Sequence, residues 1–270
     1  MFFLYGDLGY NVLHLPLSPP FSHQGSAQDE GDRLRVDDEM MKCKNLQEAA
    51  EDFRYLLNRK YPRKASLELV GNRYELDYDQ RHLLHRGIFS EADSKSRRKK
   101  RIPVGGVRNK DLAIDGYNVI ITIEAGLSGR PLVLGDDGFI RDISGLSGAF
   151  KKTLKTEEAL QLIFSALKKV KPRQTLFLFD SPISMSGKLA QEVRDWLNRE
   201  DLSGDARAVK VPERILIGFP GVVATSDTAI IDQSKRVVDL AGDIIRNPQF
   251  RSLKPAATCS FVRWKRKRTV

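Results

Sequence analysis

Three aspartates stand where apolar runs end: Asp115 in Ile114-Asp115-Gly116-Tyr117-Asn118, Asp180 in Leu178-Phe179-Asp180-Ser181, and Asp227 in Thr225-Ser226-Asp227-Thr228. The runs before them read as buried strands. In an open parallel sheet the carboxyl ends of the strands share one edge, where ligands bind. If these strands are neighbours, the three carboxylates converge there. Like charges that close raise one another's pKa unless a cation neutralises them. Mg²⁺ is the natural cation, because it takes hard oxygen ligands and keeps several waters. It could activate water and stabilise charge developing on a phosphate under attack. The expectation is therefore a metal site on Asp115, Asp180 and Asp227, the same three acting in catalysis, with Asp232 or Glu213 assisting. A plainer reading stands beside it. Asp180 before Ser-Pro can form a turn, and Ser226 or Asp227 can cap a following helix.

The elements that must position these acids follow from periodicity. From residue 111 onward, apolar runs alternate with amphipathic stretches. Strands are expected at 112–114, 175–179, 208–211, 221–225 and 237–238, with a hairpin over 131–142 about Gly135-Asp136-Asp137-Gly138. Helices are expected from a Thr156 cap, over 187–198, about 229–234, and through Ile245. Such alternation predicts an α/β domain over 111–250, a mostly parallel sheet with helices on both faces. Before it, a small all-α module is expected over 42–90. Asn45 and Glu48 have capping-box spacing for its first helix. A second helix is expected over 63–70 with Gly71 just past its end, and a third over 78–86 stopped by Gly87. Residues 91–110, basic and then rich in Pro and Gly, read as a linker. Residues 1–41 read as a disordered or mis-called extension and 251–270 as a disordered basic tail.

The chain has 270 residues, 41% of them hydrophobic, ample for a buried core, and a formal net charge of +10. That charge favours polyanionic partners, nucleic acid first. RNA is the expected partner, with DNA possible. Arg98, Lys99 and Lys100 of the basic run would hold its phosphates, and Trp264 could stack on a base. Two cysteines, Cys43 and Cys259, form no CxxC pair, which fits a reducing cytoplasm. No stretch is long and apolar enough to span a bilayer, so no membrane partner is expected. No GxSxG elbow, GxGxxG or Walker loop occurs, which leaves serine-hydrolase, dinucleotide and P-loop chemistry unsupported.

The pattern Asp115-Gly-x-Asn118, Asp180 and Ser226-Asp227 resembles PIN-like nucleases, the NYN branch in particular, over residues 111–246. The resemblance implies a Mg²⁺- or Mn²⁺-dependent ribonuclease. Asp115, Asp180 and Asp227 match its metal ligands and Asn118 its polar residue near the first acid. Ser226, beside the third acid, joins Asn118 as a candidate substrate contact. The sequence departs from that branch at Ala229, where a second acid is usual, and Glu213 is the nearest candidate for another missing acid. The chain also resembles an uncharacterised prokaryotic family, domain of unknown function 434, through the stretches 53–59 and 69–74. That family implies the pairing of a helical segment with a PIN-like part and no established activity. Two other readings stay open: a non-catalytic RNA- or protein-binding module of the same fold, and a helix-turn-helix DNA-binding regulator with an α/β sensor domain.

Overall fold

The computed structural model describes residues 44–143, 150–248, 250 and 261–263. The expectations for residues 1–41, for Trp264 and for most of the tail lie outside them.

The chain opens with helix α1 (44–58), whose Ala49, Ala50 and Phe53 are fully buried. Asn45 lies inside this helix and is not its cap, because the helix already includes residue 44. Helix α2 (Arg63–Arg73) runs past the expected end, with Gly71 buried within it. A side chain at Gly71 would collide with the Arg81 guanidinium, so this glycine serves close packing and not termination. Helix α3 (Tyr78–Gly87) begins with a complete capping box between Asp77 and Gln80.

The expected linker is structured. Ser90 caps helix α4 (Glu91–Lys100), and a 3₁₀ turn follows at Val104–Val107. Composition misled here because α4 has almost no apolar face. Its buried residues are Ser94 and Arg97, the latter held by Asp232 and Asp137.

Strand β1 (Asp111–Asp115) leads into helix α5 (Gly116–Leu127), which periodicity did not reveal. Every residue of α5 except Asn118 is buried, and a helix apolar all round carries no amphipathic signal. The predicted hairpin forms as β2 (Leu132–Leu134) and β3 (Ile140–Asp142), with Gly138 at φ +88° in its turn. Then come α6 (Leu154–Val170), β4 (Gln174–Asp180), α7 (Ser186–Arg199) and β5 (Gly204–Val209). The N-cap of α6 is Thr153, and Thr156 is the N3 partner in the box. An unforeseen short helix, α8 (Pro212–Ile217), precedes β6 (Val222–Ala224), α9 (Thr228–Gln233), β7 (Val237–Val238) and α10 (Leu240–Arg246). Within the expected tail, β8 (Phe261–Arg263) pairs in parallel with β2.

Strands β5-β4-β1-β6-β7 make a five-stranded, wholly parallel sheet, and β3-β2-β8 a smaller second one. Alternation along β1 sends Leu112 and Ile114 to the face covered by α5, α6, α7 and α10. Ala113 goes to the face covered by α8 and α9. Helices thus cover both faces of a mostly parallel sheet, as the sequence predicts. The N-terminal helices form a third core, in which Phe53, Leu84 and Ile88 pack with Val133 and Ile143 of the hairpin region. Residues from Asn45 on make one compact unit.

Candidate functional site

The chain runs from β1 outward through β4 to β5, then returns to place β6 on the other side of β1. The crevice where the order reverses lies outside the carboxyl ends of β1 and β6, the usual ligand position in such sheets. Asp115 is the last residue of β1. Gly116 follows because the chain must pass close to β4. A Cβ there would sit 2.3 Å from the Phe179 ring and 2.9 Å from the Leu178 carbonyl oxygen.

Asp115 is half-buried and accepts a hydrogen bond from Thr225 Oγ1 at 2.8 Å. Burial pushes its carboxyl up to about 7; the negative charges of Asp227 and Glu213 add to the rise, while the Thr225 hydroxyl and the Asn118 backbone N–H oppose it. Asp180 ends β4, two positions beyond Leu178, the partner of Asp115 in register. Its carboxyl is also raised, by burial and by Glu213. Glu213, in the first turn of α8, therefore reaches both acids electrostatically although it is remote from them in sequence. Asp227 caps α9, its Oδ1 accepting from Ala229 N at 2.8 Å and Ile230 N at 3.2 Å. The capping reading holds for this residue. Both bonds fall on Oδ1, so capping leaves Oδ2 uncommitted among the described residues.

Asn118 and Ser226, expected to touch substrate, hold each other. Asn118 Oδ1 accepts from Ser226 N at 2.8 Å and from Ser226 Oγ at 3.0 Å. Together with the Thr225–Asp115 bond this ties the loop after β6 to the end of β1. The loop is fixed from behind as well. Arg141 donates from Nε to the Ser226 carbonyl at 2.8 Å and pairs through both terminal nitrogens with the fully buried Asp137.

Asp232 is not part of the site. Arg97 takes both of its oxygens at 2.7 Å, a bidentate pair that joins α4 to α9. The basic run is divided by its helical conformation. Lys99 is exposed, Arg98 Nη1 donates to the Asp136 carbonyl, and Lys100 Nζ donates to the Ile231 and Asp232 carbonyls. Arg98 and Lys100 thus have intramolecular duties, while the outer side of α4 stays basic. On α3, Arg81 is engaged by Asn72 and the Leu76 carbonyl, so the helix proposed to read DNA spends that side chain internally.

Sequence reasoning passed over Tyr117. Its hydroxyl is buried and has no hydrogen-bond partner among the described residues, and its pKa is pushed up to about 12 by burial and by the charge of Asp180. Its place inside Asp115-Gly-Tyr-Asn118 was the available signal. Among the described residues, no group of three or more His, Cys, Asp or Glu is arranged to hold a metal ion directly. None of Asp115, Asp180, Asp227 or Glu213 forms an ion pair with a Lys or Arg among those residues. No helix among them is long and apolar enough to cross a membrane.

A parallel α/β domain with an acidic crevice, joined to helices at its N-terminal side, is the class this architecture defines. The chain belongs to the family described as Domain of unknown function (DUF5616), which its residues 104–243 match. Residues 45–100 match a second family, Protein of unknown function (DUF434). The resemblance to that second family thus holds for the helical part and stops at the α/β part, which matches a family of its own. The chain is 33% identical over 203 residues to "Uncharacterized protein MJ0935" of Methanocaldococcus jannaschii, covering 74% of this chain and 97% of that protein. No solved structure matches it significantly.

Proposed function

We propose that the crevice at the ends of β1, β4 and β6 hydrolyses phosphodiester bonds of RNA with a Mg²⁺ or Mn²⁺ ion. The observation that carries the reading is the uncompensated acid group at the switch point. Asp115 is half-buried, feels Asp227 and Glu213, and has no cationic side chain paired with it among the described residues. Such a cluster is costly unless a cation enters.

The donor set suits a hard ion: carboxylate oxygens of Asp115, Asp180 and Asp227, with the exposed Glu213 near. No three acids surround one point, and Mg²⁺ commonly binds through one or two carboxylates while keeping waters. When bound, the ion supplies a more acidic water and charge stabilisation at phosphate. The chain's residues do the rest. Thr225 orients Asp115, and the Asn118–Ser226 clamp holds Asp227 in reach. Asp180, with a raised pKa, is suited to take a proton from the attacking water, with Glu213 beside it. The resemblance of Asp115-Gly-x-Asn118, Asp180 and Ser226-Asp227 to NYN ribonucleases supports the same chemistry. The net charge of +10 and the basic outer side of α4 favour RNA as the polyanion.

Cleavage of an end-labelled RNA pool in Mn²⁺, Mg²⁺ or EDTA tests the proposal. Cutting is expected with metal only and should fall more than about 100-fold in Asp115→Asn. A fully active Asp115→Asn chain would overturn the assignment. The lack of a ready-made three-acid cage favours a second reading, a non-catalytic RNA-binding module. It predicts no cutting, with salt-sensitive RNA binding retained in both proteins.

A further inference from the structure

Residues Tyr117, Ile121 and Glu124 recur at helical spacing and so share one face of α5, which its C-cap Ser128 continues. Past Tyr117 that face opens into a cleft of about 610 Å³, closed opposite by Phe150, Lys151, Leu154 and Lys155 at the start of α6. The size falls in the range of sites for small ligands, about 300–1,000 Å³. The cleft adjoins the acidic edge. The Phe150 ring lies 4.8 Å from the ring of Tyr117, tilted by 59°. Tyr117 is two residues past Asp115 and feels the charge of Asp180.

The charge of the cleft is positive. Among the described residues that line it, Arg130, Lys151 and Lys155 stand against one carboxylate, Glu124. Glu124 is engaged from within, accepting from Thr156 Oγ1 at 2.5 Å, and both Arg130 and Lys155 act on its charge. Lys155 Nζ donates to the Leu127 carbonyl at 3.1 Å. Lys151 is exposed, with no partner among the described residues. The positive end of the 17-residue α6 points into the same place. Beside these charges stand the half-buried Phe150 and the 78% exposed Leu154, an apolar wall that a folded domain has no internal reason to leave open.

We infer that this cleft binds single-stranded RNA, one base lying against Phe150 and Leu154 and the adjoining phosphate against Lys151 and Lys155. A cation row with an aromatic in it is the pattern that holds a strand without reading its sequence. The inference rests on the reading of RNA as substrate and adds where the strand leaves the acidic edge. The path runs across the cleft, toward Ser128 and Arg130.

The test is binding, measured on the full chain carrying Asp115→Asn so that RNA is not consumed. The probe is a short fluorescein-labelled oligouridylate, titrated by anisotropy across a salt series. Phe150→Ala is expected to weaken binding about ten-fold. Lys151→Ala should weaken it several-fold and lower the salt slope by about 0.7, the loss of one phosphate contact. Lys151 is exposed, so its thermal midpoint should match the parent's. Lys99→Ala on α4 should change affinity less than either. Parent-like affinity in both cleft variants, loss only in Lys99→Ala, or an effect of Lys151→Ala without one of Phe150→Ala would overturn the groove. So would a parent that binds no oligouridylate. If the cleft variants behave as expected and the wild type cuts no RNA, the groove stands and the nuclease proposal falls. Cutting with unaltered binding in the cleft variants would mean the reverse.

Discussion

Asp115 carries opposing pressures that a stability measurement can separate. Its folded pKa of about 7 lies above the ordinary value of about 3.9 for an aspartate in an unfolded chain. Between those two values the folded protein binds the extra proton, so stability falls as pH rises from about 4 to about 7. Asparagine keeps an oxygen for the Thr225 hydroxyl and never ionises. Asp115→Asn should therefore gain on the order of 2–4 kcal/mol over the parent at pH 8 without added metal, and nothing comparable at pH 4. Urea unfolding at both pH values reads this, and parallel pH profiles would sink it. The same residue would thus cost the apo fold stability while serving the site, a trade expected where a carboxylate is kept for function. The plain roles found nearby do not cancel that. Asp227 caps α9 through one oxygen, and Ser226 gives its N–H and hydroxyl to Asn118 Oδ1, which keeps the loop in place.

Among the elements, the hairpin tip and α4 decide how firmly the site is held. Asp137 is fully buried and carries Arg141 at 2.7 Å and Arg97 at 3.4 Å. Those arginines and Arg63 also surround one ring, Phe89, at 5.0, 4.5 and 4.9 Å from its centroid. Three guanidiniums so close need the carboxylate, and burial with this repulsion lowers the Arg63 pKa to about 10. Asp137→Ala leaves buried positive charge uncompensated and should cost about 3–5 kcal/mol in chemical denaturation. Because Arg141 also grips the Ser226 carbonyl, the damage should reach the loop after β6. A loss under about 1 kcal/mol would show the network to be dispensable. This network also explains the fate of Asp232. Sequence offered it as a spare acid, and Arg97, from 135 residues earlier, takes it.

At the level of the whole molecule, two family matches meet in one folded unit. The helices of the DUF434 segment bury Val133 and Ile143 of the α/β part and supply Phe89 and Arg97 to the network around Asp137. A chain starting at residue 104 would expose that apolar surface and strip Asp137 of one arginine. It should show no cooperative thermal transition by circular dichroism and should self-associate on size-exclusion chromatography. A monomeric, cooperatively melting fragment would refute this interdependence. The expectation of a small helical module over 42–90 rested on its length and its three helices, and neither shows which surface the helices cover.

The sequence by itself determined the local features. The apolar runs of β1, β4 and β6 mark strands, because residues buried on both faces need no polar alternation. The turn at Gly135-Asp136-Asp137-Gly138 and the acids at strand ends were legible for similar local reasons. Helix α5 was hidden by its uniform burial, and α4 by the lack of an apolar face, since periodicity reports a helix only when one side differs from the other. Which acids meet was decided by tertiary structure alone. The order β5-β4-β1-β6-β7 put Asp115 between β4 and β6, brought Glu213 toward it and left Asp232 with Arg97. Strand order and long-range ion pairing depend on contacts between residues remote in sequence, 110 positions apart for Leu112 and Val222 and 135 for Arg97 and Asp232, and no local pattern of the chain encodes them.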